Sequence, residues 1–217
     1  MTFQATKTYI SIIIDISIDF RYMDLSKQKT EKALEAIIEL EAFTQYEVWK
    51  KAGTSFETAH NLVHFLQQKN VIAKTDKKYA VTTWPGLLSL FAAYRTFPKP
   101  TATLQLAIDE KQFQEILCKK GFTLCLTTAW SHYDDYLYGG NIHAYYPDEK
   151  TLQNLVKEAS QLPKGLTTTY LHPQDIPVQP EKKGKLQITS FARTLLDMYS
   201  SNYAYGTSNW IKKKAMR

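Results

Sequence analysis

Lys51-Ala-Gly-Thr-Ser-Phe-Glu-Thr-Ala-His-Asn-Leu-Val-His-Phe-Leu-Gln-Gln-Lys-Asn-Val-Ile72 is the stretch that decides how this chain is read. Gly53 tolerates a positive φ and so stops whatever helix precedes it. Thr54 and Glu57 stand at the Thr-x-x-Glu spacing of a capping box, which predicts a helix from there to about Lys69. Ala59, Leu62, Val63 and Leu66 recur at helical spacing and form its buried stripe. Asn70 can close that helix in the left-handed region and hand the chain to the apolar Val71-Ile72.

Upstream, Ala33, Leu34, Ile37, Ile38 and Glu41 keep a helical rhythm from Asp24 onward. Lys27, Lys29, Glu31, Lys32, Glu35 and Glu39 are expected on the other faces of that helix. A second, short helix follows Thr44 and carries Tyr46, Val48 and Trp49. Downstream, residues 71–74 and 79–82 read as strands around the polar turn Thr75-Asp76-Lys77-Lys78. Helix, short helix, glycine turn, longer helix and basic hairpin is the order of a winged helix-turn-helix. Residues 51–72 resemble the recognition segment of winged-helix transcription regulators, whose helix starts at a Ser or Thr cap and runs into an apolar strand. The same module also serves to bind RNA or proteins.

If the third helix enters a DNA groove, its first turns meet base edges and its amide dipole favours a phosphate. Ser55, Phe56, Thr58, His60, Asn61 and His64 fall nearest the exposed side. Asn61 suits a bidentate contact to adenine, Thr58 a base edge or thymine methyl, and Ser55 a phosphate. Lys74, Lys77 and Lys78 on the hairpin suit backbone contacts. Asn61 and Thr58 are equally compatible with plain solvated helix positions. His60 and His64 have the one-turn spacing of a metal pair, yet no third ligand is near in sequence, so no metal is expected. The helix lacks Arg and carries only Lys69 at its end, so a homodimer or further basic surface is expected to add affinity.

The whole chain has 217 residues, 44% hydrophobic and 13% aromatic, which excludes a disordered polypeptide and suffices for two cores. Its formal charge is +6, a weak pointer to polyanionic partners. The excess is spread, with 11 basic against 8 acidic residues in 23–100 and 14 against 11 in 101–217. Cys118 and Cys125 lack the paired spacing of a zinc ribbon and read as buried free thiols, consistent with a reducing cytoplasm. Ile12, Ile14, Ile16, Ile18 and Phe20 alternate with Ser11, Ile13, Asp15, Ser17 and Asp19 as a strand would. Asp15 and Asp19 argue against a membrane span or signal peptide there. Alternatively, Met23 is the natural start and residues 1–22 an incidental extension.

Residues 84–94 form one more apolar helix, expected to pack under the hairpin. Pro98-Lys99-Pro100 then breaks the pattern and reads as the linker. The expected domains are therefore 23–97, a winged helix-turn-helix able to fold alone, and 101–217, a small α/β domain for dimerisation or partner binding. Beyond the linker, strands at 103–108, 122–127, 141–146, 166–171 and 186–189 alternate with helices at 110–120, 129–138, 149–162, 191–199 and 208–216. The fold class expected overall is α+β.

Within the second domain, Lys119-Lys120-Gly121-Phe-Thr-Leu-Cys-Leu-Thr-Thr-Ala-Trp130 runs a strand into a Thr-capped helix. A late stretch, Leu186-Gln-Ile-Thr-Ser-Phe-Ala-Arg-Thr-Leu-Leu-Asp-Met-Tyr199, runs a strand into a helix that carries Arg193 and Asp197 one turn apart. In this order the chain resembles AbiEi-like proteins, winged-helix antitoxins of type IV toxin–antitoxin systems. The resemblance implies autorepression through the first domain and a cognate toxin protein as partner of the second. Arg193 and Asp197 also make sense as an i, i+4 structural pair.

Catalysis is not expected, and no cofactor is called for. Gly139-Gly140 precedes a strand as in a nucleotidyltransferase, but residues 141–146 carry no acid to hold Mg²⁺. Asp148 and Glu149 are adjacent and diverge, while His132, Asp134 and Asp135 read as solvent-facing. The leading expectation is a cytoplasmic, sequence-specific double-stranded-DNA-binding regulator. A protein–protein adaptor that docks through the winged helix, and more weakly a nucleic-acid-processing enzyme, stay open beside it.

Overall fold

A computed structural model describes residues 25, 27–134 and 140–215. The strand expected within residues 12–20, the alternative start at Met23, and Asp135, Gly139 and Met216 lie outside them. The described chain is α+β, with two separate sheets, and it divides into two compact units, Met1–Thr82 and Thr83–Arg217. None of its described helices is long and apolar enough to cross a membrane.

The first unit runs α1 (Gln28–Leu40), β1 (Ala42–Phe43), α2 (Gln45–Ala52), α3 (Phe56–Gln68), β2 (Ile72–Thr75) and β3 (Lys78–Val81). Ala33, Leu34, Ile37 and Ile38 of α1 are fully withdrawn from solvent with Val48 of α2 and Ala59, Leu62, Val63 and Leu66 of α3. The stripe expected on α3 is therefore the one observed. On α1 the buried face is wider than the apolar rhythm implies, because Thr30 and Glu31 are buried as well.

The caps differ from the expected set. Thr44 and Glu47 make the capping box, with Glu47 N–H donating to Thr44 Oγ1 (3.1 Å) and Thr44 N–H donating to Glu47 Oε2 (2.7 Å). The α3 cap is Ser55, whose Oγ accepts from Thr58 N–H. Thr54 instead donates to the Ser55 carbonyl, so the Thr54–Glu57 spacing is not a capping box. One residue of phase decides this, because only the residue with extended φ/ψ directly before the first helical position can aim its oxygen at the free amides. Gly53 at φ 61 and Asn70 at φ 57 take the left-handed positions expected of them.

An isolated two-stranded hairpin is marginal in water. Here β1, too short to be visible in the sequence pattern, adds a third strand and gives the order β1-β3-β2, all antiparallel. It pairs Phe43 with Tyr79 and places the buried Phe43 ring beside Tyr79, which ties the hairpin to the helical core.

The second unit begins with α4 (Trp84–Ala92), capped by Thr83, which accepts from Gly86 N–H. Trp84 of α4 meets Trp210 of a C-terminal helix (Ser208–Ala215) edge-on, with ring centroids 5.1 Å apart. The chain thus divides at Thr82 rather than at Pro98-Lys99-Pro100. Those prolines are stitched into the second unit, where Phe97 N–H donates to Ser200 O, Thr101 N–H to Leu171 O and His172 Nδ1–H to Pro98 O.

Six strands follow: β4 (Ala102–Leu106), β5 (Thr123–Leu124), β6 (Asn141–Tyr145), β7 (Thr167–His172), β8 (Glu181–Lys183) and β9 (Leu186–Ile188). They form one mixed sheet in the order β4-β7-β6-β5-β9-β8, with β6–β7 and β5–β9 parallel. The expected strand at 122–127 shrinks to two residues, because α6 (Leu126–Trp130) starts there. Side chains alternate across the sheet. Ile142, Ala144 and Leu171 join Phe113 and Leu117 of α5 (Glu110–Lys119) and Leu152 and Leu155 of α7 (Glu149–Ala159) in one core. His143, Tyr145, Tyr170 and His172 take the opposite face, that of α8 (Phe191–Tyr199). Cys118 and Cys125 are buried and free, and Asp148 caps α7 through Thr151 N–H.

Arg193 and Asp197 on α8 form a buried pair, and they belong to a larger set. Arg95 bonds Asp175 and lies 2.8 Å from Asp197, Arg193 bonds both aspartates, and Tyr145 O–H donates to Asp197. Two guanidiniums against two carboxylates balance, so the desolvation of Arg95, Arg193 and Asp197 is met by partners. Burial pushes the Asp175 carboxyl up, but Arg95 and Arg193 outweigh it and hold it below the usual range. Its share of stability is present above about pH 4 and disappears as the pH falls through the depressed folded value. Asp197→Ala leaves two buried guanidiniums against one carboxylate and is expected to cost about 3–5 kcal/mol, read as a lower urea midpoint. An unchanged midpoint would show that the four charges do not hold this face together.

Candidate functional site

The first unit presents α3 and the β2–β3 hairpin from one helical core. Opposite the buried stripe, α3 carries Glu57, Asn61 and Gln68 exposed, with His64 half-buried beside them. Helical periodicity brings these positions into one ridge. Asn61 keeps the outward position expected of it. Glu57, expected at a cap, instead puts a carboxylate on the first turn of the ridge.

The other expected residues are more committed. Ser55 and Thr58 hydroxyls bond each other at 2.8 Å, so Thr58 faces the cap rather than standing free with Asn61. His60 turns toward α2, its Nδ1 3.1 Å from Gln45 Oε1. Phe56, His60 and His64 form a ladder of rings, with centroids 6.1 and 4.4 Å apart. The histidine pair is thus ring packing along one side of α3. Among the described residues no group of three or more His, Cys, Asp or Glu is placed to hold a metal ion.

The hairpin turns through Asp76, at φ 49, and Lys77. Cross-strand register sets Lys74 opposite Tyr79 and Lys78 opposite Thr75. Because residues directly opposite share a face, Lys74 and Lys78 leave opposite faces of the ribbon. All three lysines are exposed, but Lys78 Nζ lies 2.9 Å from Glu47 Oε1. That hydrogen bond, with the Thr44 N–H behind it, holds the Glu47 carboxyl below its ordinary value. The one carboxylate thus caps α2 and tethers the hairpin. Its role was half visible, since Thr44-x-x-Glu47 has the right spacing, but the partner at Lys78 is 31 residues away.

A second feature joins the expected Phe56 to two aromatic side chains of α2. Tyr46 is 56% and Phe56 48% exposed, and both pack edge-on against Trp49. The i, i+3 spacing of Tyr46 and Trp49 was the available signal. Lys50 adds an exposed cation on the last turn of α2, whereas Lys51 is paired with Glu39 at 2.7 Å.

Comparison of the chain with protein-family models, with curated proteins and with solved structures finds no match. The site is therefore read from its own geometry.

The caps on either side of Gly53 fix how α2 meets α3. Thr44→Ala and Ser55→Ala are each expected to lower stability by about 1 kcal/mol, through amides left without acceptors. The two act on different helices, so the double variant should lose roughly the sum. Chemical denaturation of the three variants checks this, and a double variant no worse than either single one would contradict it.

Proposed function

We propose that residues 27–82 form a winged helix-turn-helix and that the protein binds double-stranded DNA through it as a transcription regulator. The observation that carries this is the exposed polar ridge of α3, set on a rigid core and flanked by a braced hairpin bearing lysines. A helix of this width fits the major groove, and a three-stranded ribbon beside it reaches the neighbouring backbone.

In this arrangement Asn61 reads an adenine edge with both ends of its amide. Glu57 constrains the docking further. A carboxylate on the first turn is repelled by phosphate but accepts from a cytosine amino group, so the ridge must face bases and not the backbone. Ser55, Lys74, Lys77 and Lys50 supply phosphate contacts, which position the helix without reading sequence. Lys78 contributes less than its neighbours while Glu47 holds it. The modest cation count on one unit is what makes a homodimer part of the proposal. Through the AbiEi-like resemblance, the second unit would engage a cognate toxin in the cytoplasm, and the first would repress the operon that encodes both.

Exposed aromatic surface at Tyr46 and Phe56 favours a second reading, a docking module for another protein, since large apolar side chains gathered on a surface mark contacts. The two readings separate on Asn61 and Glu47. Asn61→Ala is expected to cost about 1–3 kcal/mol on a selected operator and almost nothing on a scrambled duplex at the same salt. Glu47→Gln frees Lys78 and should tighten binding to both duplexes alike, with a steeper salt dependence. An operator affinity unchanged by Asn61→Ala together with duplex affinities unchanged by Glu47→Gln, in variants that melt as the parent does, would remove α3 and the hairpin from DNA contact.

A further inference from the structure

The second unit holds a cavity that DNA contact does not use. It has a volume of about 430 Å³ and opens on the sheet face that carries His143 and His172. Phe97, Tyr170 and Tyr203 give it aromatic walls, and among the described lining residues Lys99 is the one formally charged side chain and no carboxylate occurs. Leu126, also in the lining, sits at φ 49, a conformation that disfavours branched side chains. Strained backbone of this kind gathers at ligand clamps and active sites.

The protons around His143 can be placed by following the acceptors. Pro98 O can only accept, so His172 Nδ1, 3.0 Å away, carries a hydrogen. A neutral His172 then presents a lone pair on Nε2, and His143 Nδ1, 3.1 Å from it, must donate. What remains is the lone pair of His143 Nε2. Its one hydroxyl neighbour, Tyr203 Oη, stands 3.4 Å off, beyond a good O–H···N distance. Burial, and then the neighbouring His172, hold the His143 pKa down to about 3, so this nitrogen stays an acceptor at neutral pH. Ser200, also in the lining, has a buried hydroxyl with no hydrogen-bond partner among the described residues. A mostly apolar cavity thus keeps one oriented acceptor, with an unspent hydroxyl buried in its wall, the pattern of a small-molecule site.

We propose that this cavity binds a small hydroxyaromatic acid. The ligand hydroxyl donates to His143 Nε2 and accepts from Tyr203 O–H, its ring lies among the aromatic walls, and its carboxylate is drawn to Lys99. A cationic ligand would find no carboxylate to pair with. The site stands on the second unit alone and holds whether or not the first binds DNA.

Titration calorimetry of the full-length protein with 4-hydroxybenzoate at neutral pH tests this. Benzoate, which lacks the donor, and 4-hydroxybenzamide, which lacks the carboxylate, are each expected to bind about tenfold more weakly. Lys99→Ala, at an exposed position, should weaken 4-hydroxybenzoate by a similar factor and leave 4-hydroxybenzamide unchanged. His143→Phe should abolish binding of both, with a melting curve to establish that it folds. If that variant does not fold, the Lys99 variant and the two analogues still decide. Absence of binding by 4-hydroxybenzoate and its 3-hydroxy isomer at millimolar concentration, or equal affinity for benzoate, overturns the proposal.

Discussion

Two arginines and an aspartate buried on one face of a sheet, with the more exposed Asp175 closing the set, leave that face very little freedom. Arg95 follows α4, Tyr145 lies on β6, Asp175 follows β7, and Arg193 and Asp197 lie on α8. Any slip of one of these elements would strand a charge in a medium that cannot solvate it. The network therefore sets the position of α8 over the sheet. It also holds the segment between α4 and β4 as part of the second unit, where Phe97 and Pro98 become walls of the cavity. The same face carries the two histidines, so the cavity owes its shape to the ion network beside it.

The first unit is organised differently. Its core is apolar apart from the buried Thr30 and Glu31 of α1, and its turns are constrained at the ends of elements by Thr44 and Glu47, Ser55, Gly53 and Asn70. These fix where α2 stops and α3 starts, and with them the direction in which the exposed ridge points. Glu47 then carries the constraint outward to Lys78. A capping carboxylate shared with a hairpin lysine couples the cap to the charge of the hairpin, so one residue adjusts both rigidity and the cation available to a polyanion.

Much of this was legible from local pattern. The stripe of Ala59, Leu62, Val63 and Leu66, the left-handed closures at Gly53 and Asn70, and most strands and helices of the second unit follow from periodicities that a few residues suffice to reveal. What escaped depends on distance along the chain or on very short elements. Strand β1 has two residues and β8 three, too few for alternation to show. Arg95 meets Asp175 across 80 residues, and His143 meets His172 across 29, with nothing local to announce either. The unit boundary was misplaced for the same reason. Two prolines look like a linker until the bonds that Phe97, Pro98 and Thr101 make to distant strands and loops are seen.

The central claim, contact between the first unit and duplex DNA, is tested most directly by the affinity of the full chain for a duplex measured over a range of salt. If α3 and the hairpin lie on DNA, the logarithm of the association constant falls linearly with the logarithm of salt concentration, with a slope of about −0.9 for each phosphate contacted. Affinity that does not change with salt, or no binding to duplex even at low salt, would contradict the account.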